Sequence, residues 1–447
     1  MSNLKSIIEK KLNFEISADV NEVHWRAQDS TDKSILFYKA SNTEKNIEIF
    51  KSRISTANYA LCITNLSGVE DKKIKIIDNK RFHDLKERIL NELYPFDSQA
   101  KCVLGVTGTN GKTTTVEIIK QVCILKGLNV LTVGTLGVCL NDEQVEDFEL
   151  TSPSYIDLRK SLYKYSKNCH VIAMELSSHA LDQNRLGSIR FDRIGWTNLS
   201  QDHLDYHKTM DNYFLAKAKI FEFTKETGSV IVSRKQKDLI KRLEGYEFEP
   251  TTMLGRIKNM FFYPDYNREN LEVAICLLKG FVEVTLDEIE CLNAPPGRFN
   301  IYQHKSNFII IDYAHTPDGL ESICSEIKMT FPKHQLITIF GCGGDRDKKK
   351  RPLMGKAASR YSDFIYLTSD NPRFENPEQI IKDAEIGIKK PFEKIINREE
   401  AIKKAFLSLE DSVLLIAGKG HENYIDKEGT KHEYCDENVV KSLISND

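Results

Sequence analysis

From residue 102 onward the chain alternates apolar runs of strand length with longer segments whose apolar positions recur at helical spacing. Val103-Leu104-Gly105-Val106 reads as a buried strand, followed by a Gly-rich loop, a helix over Thr113–Lys126 and a second strand over Asn129–Val133. Val171–Met174 and Ser229–Val232 continue the series. Pro295-Pro296-Gly297 is the sharpest punctuation in the chain, and a domain boundary is expected just after it. Beyond it, candidate strands at Phe308–Ile311, Leu336–Phe340, Phe364–Leu367 and Val413–Ile416 alternate with helical stretches such as Leu320–Met329, which predicts a second mostly parallel sheet. Before residue 98 only short β-like runs occur, at Ile35–Tyr38 and Tyr59–Thr64. The expected fold class is α/β with three domains, over 1–97, 98–300 and 301–447.

Composition narrows the class. The 447 residues are 40% hydrophobic and 29% charged, the balance of a globular protein long enough for two or three cores. A net charge of -2 argues against a nucleic-acid partner. No apolar run approaches the roughly 18 residues of a membrane helix, and Met1–Leu12 lacks the texture of a signal peptide. The 10 cysteines include no Cys-x-x-Cys pair and read as small core residues of a reducing compartment, so a cytoplasmic location is expected.

Gly108-Thr109-Asn110-Gly111-Lys112-Thr113-Thr114 lies between a strand and a helix. There, backbone N–H groups and a helix N-terminus cradle phosphate oxygens, Lys112 reaches the β- and γ-phosphates, and Thr113 is placed to ligate the nucleotide's magnesium. The loop departs from the usual spacing, with Val106 where the first glycine is expected. A nucleoside triphosphate is the ligand these residues call for. Glu175 closes an apolar strand, the position of a carboxylate that holds magnesium on phosphates. Asp202-His203-Leu204-Asp205-Tyr206-His207 suits a second metal site, whereas Lys217 taken alone reads as a helix-surface lysine. The basic run Lys348–Arg351 reads as a solvated loop, with a phosphate or substrate role as the alternative.

Thr107–Thr114 resembles the phosphate loop of Mur ligases and folylpolyglutamate synthetases. Glu175-Leu176-Ser177-Ser178-His179-Ala180, Thr197-Asn198-Leu199 through His207, and Tyr213 with Lys217 resemble the Mur ligase family, in particular its branch that adds the third residue of the peptidoglycan stem peptide. The resemblance implies a three-domain ligase in which a UDP-substrate-binding domain precedes an ATP-binding domain and an amino-acid-binding domain. It implies that a carboxylate attacks the γ-phosphate of ATP and an amine displaces phosphate from the acyl phosphate. By the same resemblance Glu175, His203 and a carbamylated Lys217 ligate magnesium, Arg298 contacts the γ-phosphate, Asp312 and His315 contact the nucleotide, and Asn267 and Asn270 lie beside the adenine. Thr151, Ser152, Ser177, Gln183 and Arg185 fall where the family meets the acyl substrate, and Ser30 falls in its uridine segment.

Ser369-Asp370-Asn371-Pro372-Arg373 and Gly418-Lys419-Gly420-His421-Glu422 resemble the elements that in this family accompany meso-diaminopimelate. The chemistry agrees: Arg373 can take a distal carboxylate in a forked pair, and Glu422 an ammonium, whereas lysine leaves a buried Arg373 unpaired. The front departs from the family, with Thr31 where an Arg is usual and no glycine turn before Ile35-Leu36-Phe37. A ligase of this type acting on a UDP-linked muramoyl dipeptide and meso-diaminopimelate, with ATP and Mg2+ and as a monomer, is therefore expected. Its alternatives are a UDP-free acyl substrate, L-lysine as amine, or a nucleotide-binding regulator without ligase activity.

Overall fold

The computed structural model describes residues 2–12, 20–69, 71–98, 101–148 and 150–446. By contacts the chain divides into two compact units, one of residues 1–105, 127–194 and 215–229, the other of 106–126, 195–214 and 230–447.

In the first unit, four short strands, Glu22–His24, Ser34–Tyr38, Leu61–Thr64 and Ile74–Ile76, pair in chain order and all in parallel. Leu36, Phe50, Cys62 and Ile74 form their core under helix Glu44–Ser55, which Thr43 caps. The eight-stranded sheet runs in the order Glu249–Pro250, Thr224–Val232, Phe191–Trp196, Cys102–Thr107, Val171–Glu175, Val130–Gly134, Gly137–Leu140, Glu143–Glu146. The last three strands form an antiparallel meander that hydropathy did not predict, because its outer strand is polar and largely exposed.

The second unit carries a six-stranded sheet, ordered Asn300–His304, Asn307–Asp312, Ser412–Ala417, Gln335–Phe340, Phe364–Leu367, Phe392–Lys394, with only the first strand antiparallel. Ile309, Ile311, Ile339, Leu414 and Ile416 build its core. In open sheets of this kind ligands bind beyond the carboxyl ends of the strands, and there the chain places Asp312, Gly341, Asp370 and Gly418. One end is braced by a fully buried pair: Arg398 donates to both oxygens of Asp436 at 2.8 Å and to the Ala417 carbonyl at 3.0 Å.

The basic run Lys348–Arg351 is not a solvated loop around Arg351. That side chain is buried, donating to Glu375, Asp383 and the Gly343 carbonyl, so it holds the Gly-rich turn from beneath. Hydrogen bonds from Arg351 keep the Glu375 carboxyl at about 2. A depressed carboxylate stabilises the fold above its unfolded value, so this brace persists in mild acid and is lost only as pH falls toward about 2.

Candidate active site

Within the second unit, the loop between strand Cys102–Thr107 and helix Lys112–Leu125 is shaped by glycine at the positions where a side chain has no room. Gly111 has φ +86°, and a Cβ there would stand 2.1 Å from Asn270 Oδ1; Gly108 has φ +150°, with Thr197 Oγ1 at 1.9 Å from its would-be Cβ. A second segment clamps the loop from outside. Thr109 N–H donates to the Asn198 carbonyl, Asn110 N–H to Asn198 Oδ1, and Thr197 Oγ1 to the Asn110 carbonyl at 2.6 Å. Thr109 Oγ1 donates to the Ser200 carbonyl and meets the buried Tyr213 hydroxyl at 3.2 Å. Lys112 Nζ folds back onto the Gly108 and Thr109 carbonyls, 2.9 Å each, and Thr113 and Thr114 are buried in the first helical turn. Thus Thr197, Asn198 and Ser200, which entered the sequence analysis only as part of a run resembling the family, fix the shape of this loop.

Gly111→Ala is therefore expected to weaken ATP binding by about tenfold or more, since it combines a left-handed backbone with a clash. Titration with a fluorescent ATP analogue checks it; parent-like affinity would refute the cradle.

Asn267 and Asn270 are buried on helix Asp265–Leu278. Asn270 backs Gly111, while Asn267 donates to the Phe261 carbonyl at 2.9 Å. His203 has left-handed backbone, an exposed ring 6.3 Å from that of Tyr213, and Asp202 at 3.5 Å. Among the described residues no group of three His, Cys, Asp or Glu side chains is placed to hold a metal ion. Magnesium does not require one, because it keeps waters and takes one or two carboxylates plus substrate phosphates.

Arg298 lies 4.5 Å over the Tyr313 ring, and its Nε is buried without a hydrogen-bond partner among the described residues. A buried orphan donor on a cation is a place for an anion. Asp312, expected at the nucleotide, is instead a strut: its carboxylate accepts from Phe299 N–H at 2.9 Å and Ala314 N–H at 2.8 Å. It thereby ties the Gly297-Arg298 turn to the segment carrying His315, whose exposed ring meets the Tyr313 carbonyl at 2.9 Å. Burial, then Arg298, holds His421 down at about 4, so this ring is neutral at neutral pH.

The turn after strand Phe364–Leu367 and the loop after Ser412–Ala417 come together. Lys419, 0% exposed in its side chain, donates to Glu422 Oε2 at 3.0 Å and to Asn371 Oδ1 at 3.2 Å, and stands 3.8 Å from Asp370. Asn371 Nδ2 also donates to Glu422 Oε2, at 2.8 Å, so that oxygen is already committed within the protein. Gly418 packs against Asp370 and donates to the Asp312 carbonyl. Arg373 is not the fully buried cation on which the exclusion of lysine in the sequence reading rests. Its side chain is 26% exposed on left-handed backbone, with Nη1 on the Gly344 carbonyl at 2.7 Å and Nε 3.8 Å from Asp426.

In the first unit, Glu175 is buried at the end of its strand, its two oxygens taking hydrogen bonds from Thr135 N–H (2.8 Å) and Thr135 Oγ1 (3.1 Å). Thr135 also donates to Thr151. Ser152 Oγ donates to the Glu175 carbonyl and accepts from Ser177 N–H, and Arg185 reaches the Ser152 carbonyl while pairing with Gln183. Thr151, Ser152, Ser177, Gln183 and Arg185 are thus gathered around Glu175, with Thr135 as the partner sequence reasoning missed. Lys217 departs from the residue-level expectation: it is 1% exposed, not a surface lysine. Ser30 donates to the Ala27 carbonyl and closes its own turn.

Residues 106–303 match the Mur ligase middle domain, and residues 297–420 the Mur ligase, glutamate ligase domain. The UDP-N-acetylmuramoyl-L-alanyl-D-glutamate--2,6-diaminopimelate ligase of Aquifex aeolicus is 38% identical over 80% of this chain and 80% of its own. A solved structure of an enzyme of that name aligns over 98% of both chains, with a TM-score of 0.64 and 26% identity. The MurF ligase of Thermotoga maritima in complex with ADP shares the fold, with a TM-score of 0.59 and 15% identity over 89% of this chain and 93% of its own. A phosphate cradle beside a second parallel sheet with its own polar site, in this company, defines an ATP-dependent amide ligase. The chain belongs to the Mur ligase family.

Proposed function

We propose that this protein joins meso-2,6-diaminopimelate to UDP-N-acetylmuramoyl-L-alanyl-D-glutamate in peptidoglycan synthesis, driven by ATP. The observation that carries it is the amine site: Arg373, partly open and held beside Asp370, Asn371 and the Gly418–Glu422 loop, suits a substrate with a distal carboxylate. The names of the relatives support the same substrates.

The phosphate loop grips ATP, with Lys112 released from its own loop carbonyls onto the phosphates and the orphan Nε of Arg298 as a further anion donor. Gly108, Thr109, Asn110, Gly111, Thr113 and Thr114 supply backbone and hydroxyl donors, with Asn267, Asn270 and His315 assigned to the nucleotide's remaining contacts. A carboxylate oxygen of the acyl substrate attacks the γ-phosphorus, ADP departs, and the acyl phosphate forms. The amine then attacks the acyl carbon, loses its proton, and expels phosphate through a tetrahedral intermediate. Ser152, Ser177, Gln183 and Arg185 orient the acyl group. Thr113, Glu175, His203 and carbamylated Lys217 are assigned to magnesium, which when bound shields the phosphate charge. Residues 1–97, 98–300 and 301–447 are assigned to UDP-substrate, ATP and amino-acid binding, in a cytoplasmic monomer.

The carbamate accords with the burial of Lys217, since it turns the cation into an anion that can face a metal. Carbamate formation from the lysine ammonium consumes CO2 and releases two protons, one to free the amine and one as the N–C bond forms. Activity in CO2-free buffer is therefore expected to fall and to return on adding bicarbonate; bicarbonate-independent turnover would remove the carbamate.

A second reading, a UDP-free acyl substrate, is favoured by the front segment. There Ser30 bonds its own turn and Thr31 Oγ1 donates to Glu22 at 2.9 Å. The deciding experiment measures ATP-dependent phosphate release with the UDP-linked dipeptide and a panel of amines. Release with meso-diaminopimelate and not with L-lysine is expected; release only with UDP-free acids would favour the second reading.

A further inference from the structure

Within the first unit, the strands Val130–Gly134 and Val171–Glu175 run in parallel, so their carboxyl ends bring Thr135 against Glu175. Thr135 grips that carboxylate at both ends: its N–H donates to Oε1 at 2.8 Å and its hydroxyl to Oε2 at 3.1 Å. The approach is close enough to require glycine at the preceding position, because a Cβ on Gly134 would stand 2.3 Å from Glu175 Oε1. The Thr135 hydroxyl also lies 3.2 Å from Thr151 Oγ1. A hydroxyl carries one proton, so Glu175 and Thr151 share this donor. Ser152, next to Thr151, donates to the Glu175 carbonyl at 2.8 Å and closes the same cluster from the backbone side.

A buried carboxylate is the kind of donor magnesium takes from a protein. Each carboxylate oxygen offers about two lone-pair directions, so a grip of one hydrogen bond per oxygen is compatible with coordination on the same group. A glutamate on its own flexible stem must be ordered when the ion binds, whereas one held at both oxygens is ordered beforehand. The stiff χ1 of a β-branched threonine adds to that order. We propose that Thr135 is a positioning residue of the magnesium site, fixing the plane of the Glu175 carboxylate through two donors and linking it to Thr151 on the acyl-substrate side. This rests on the assignment of Glu175 to magnesium made above.

The test titrates Mn2+, as a paramagnetic stand-in for magnesium, into the intact chain with saturating ADP and counts free ion by electron paramagnetic resonance. Thr135→Val removes the hydroxyl at nearly constant shape and leaves the backbone N–H in place. It is expected to weaken the ion assigned to Glu175 by about 10- to 100-fold, the usual effect of losing a partner that orients a metal ligand. Thr135→Ser keeps both donors and is expected to bind Mn2+ as the parent does, a rescue that a merely structural threonine would not show. Glu175→Gln serves as the reference for loss of the ligand itself. If Glu175→Gln loses the ion while Thr135→Val keeps it, or if the valine and serine variants weaken it equally, the positioning role is overturned and the magnesium assignment stands. If Glu175→Gln binds Mn2+ as tightly as the parent, the magnesium assignment falls, and the proposal with it.

Discussion

A Lys112→Ala variant is expected to make amide product at least about 10²- to 10³-fold more slowly than the parent while keeping its fold. Lys112 Nζ donates to two backbone carbonyls of its loop, 2.9 Å from each, so the ammonium lies against the turn proposed to cradle phosphate. Truncation removes the cation that compensates charge as the γ-phosphoryl group moves, and charge in a dry site is far dearer than in water. The loop itself should survive, because its shape is fixed by Thr197, Asn198 and Ser200 and not by the lysine. Steady-state phosphate release together with circular dichroism separates the two effects; an active Lys112→Ala enzyme would refute the assignment.

The second large effect concerns the amine. Arg373→Ala is expected to lower kcat/KM for meso-diaminopimelate by about 10²- to 10³-fold, the consequence of removing one partner of a charge pair that the bound substrate would cover. The partial reaction that precedes amine attack, ATP-dependent phosphorylation of the acyl substrate, is expected to persist. Activity with L-lysine, which offers Arg373 no carboxylate, should change little, so discrimination between the amines should collapse. If the variant discriminated as the parent does, Arg373 would be a turn residue only. Its left-handed backbone and its bond to Gly344 already give it a structural share, which makes Arg373→Lys a useful companion. A lysine keeps the charge and loses the fork.

Much of the fold was legible because its strands are continuous apolar runs buried on both faces. Phe364–Leu367 begins and ends where hydropathy put it, and Val171–Met174 is extended by only Glu175. The meander at Gly137–Glu146 and the hairpin at Tyr424–Glu433 were not legible, since their residues are polar or exposed and show no period. The phosphate loop could be read from local order alone, because strand, loop and helix are consecutive. Thr135 could not. It reaches Glu175 only because Val130–Gly134 pairs in parallel with Val171–Glu175, with Val133 opposite Met174, and no local pattern reports that neighbour.

Two charged residues show the same limit from another side. Lys419 and Lys217 are both among the largest fully buried side chains, although isolated lysines are almost always solvated. For Lys217 a signal was available: it follows the buried Tyr213 by four positions on helix Met210–Ala218 and so shares its face. For Lys419 the signal was its flanking glycines, Gly418 at φ +114° and Gly420 at φ +54°, which turn the loop inward. Asp312 shows the limit in the opposite sense. Its nucleotide contact is implied only by the family resemblance, whereas its structural task, with each carboxylate oxygen accepting from a backbone N–H group, has no sequence signal.

At the centre stands the transfer of the γ-phosphoryl group to a substrate carboxylate before the amine attacks. The most direct measurement supplies the UDP-linked dipeptide with 18O in its carboxylates, runs one round of synthesis with ATP and meso-diaminopimelate, and weighs the released phosphate. Phosphate carrying one 18O from the acyl substrate is the expected result, since the displaced group leaves with that oxygen. Amide product accompanied by unlabelled phosphate would contradict the acyl-phosphate route.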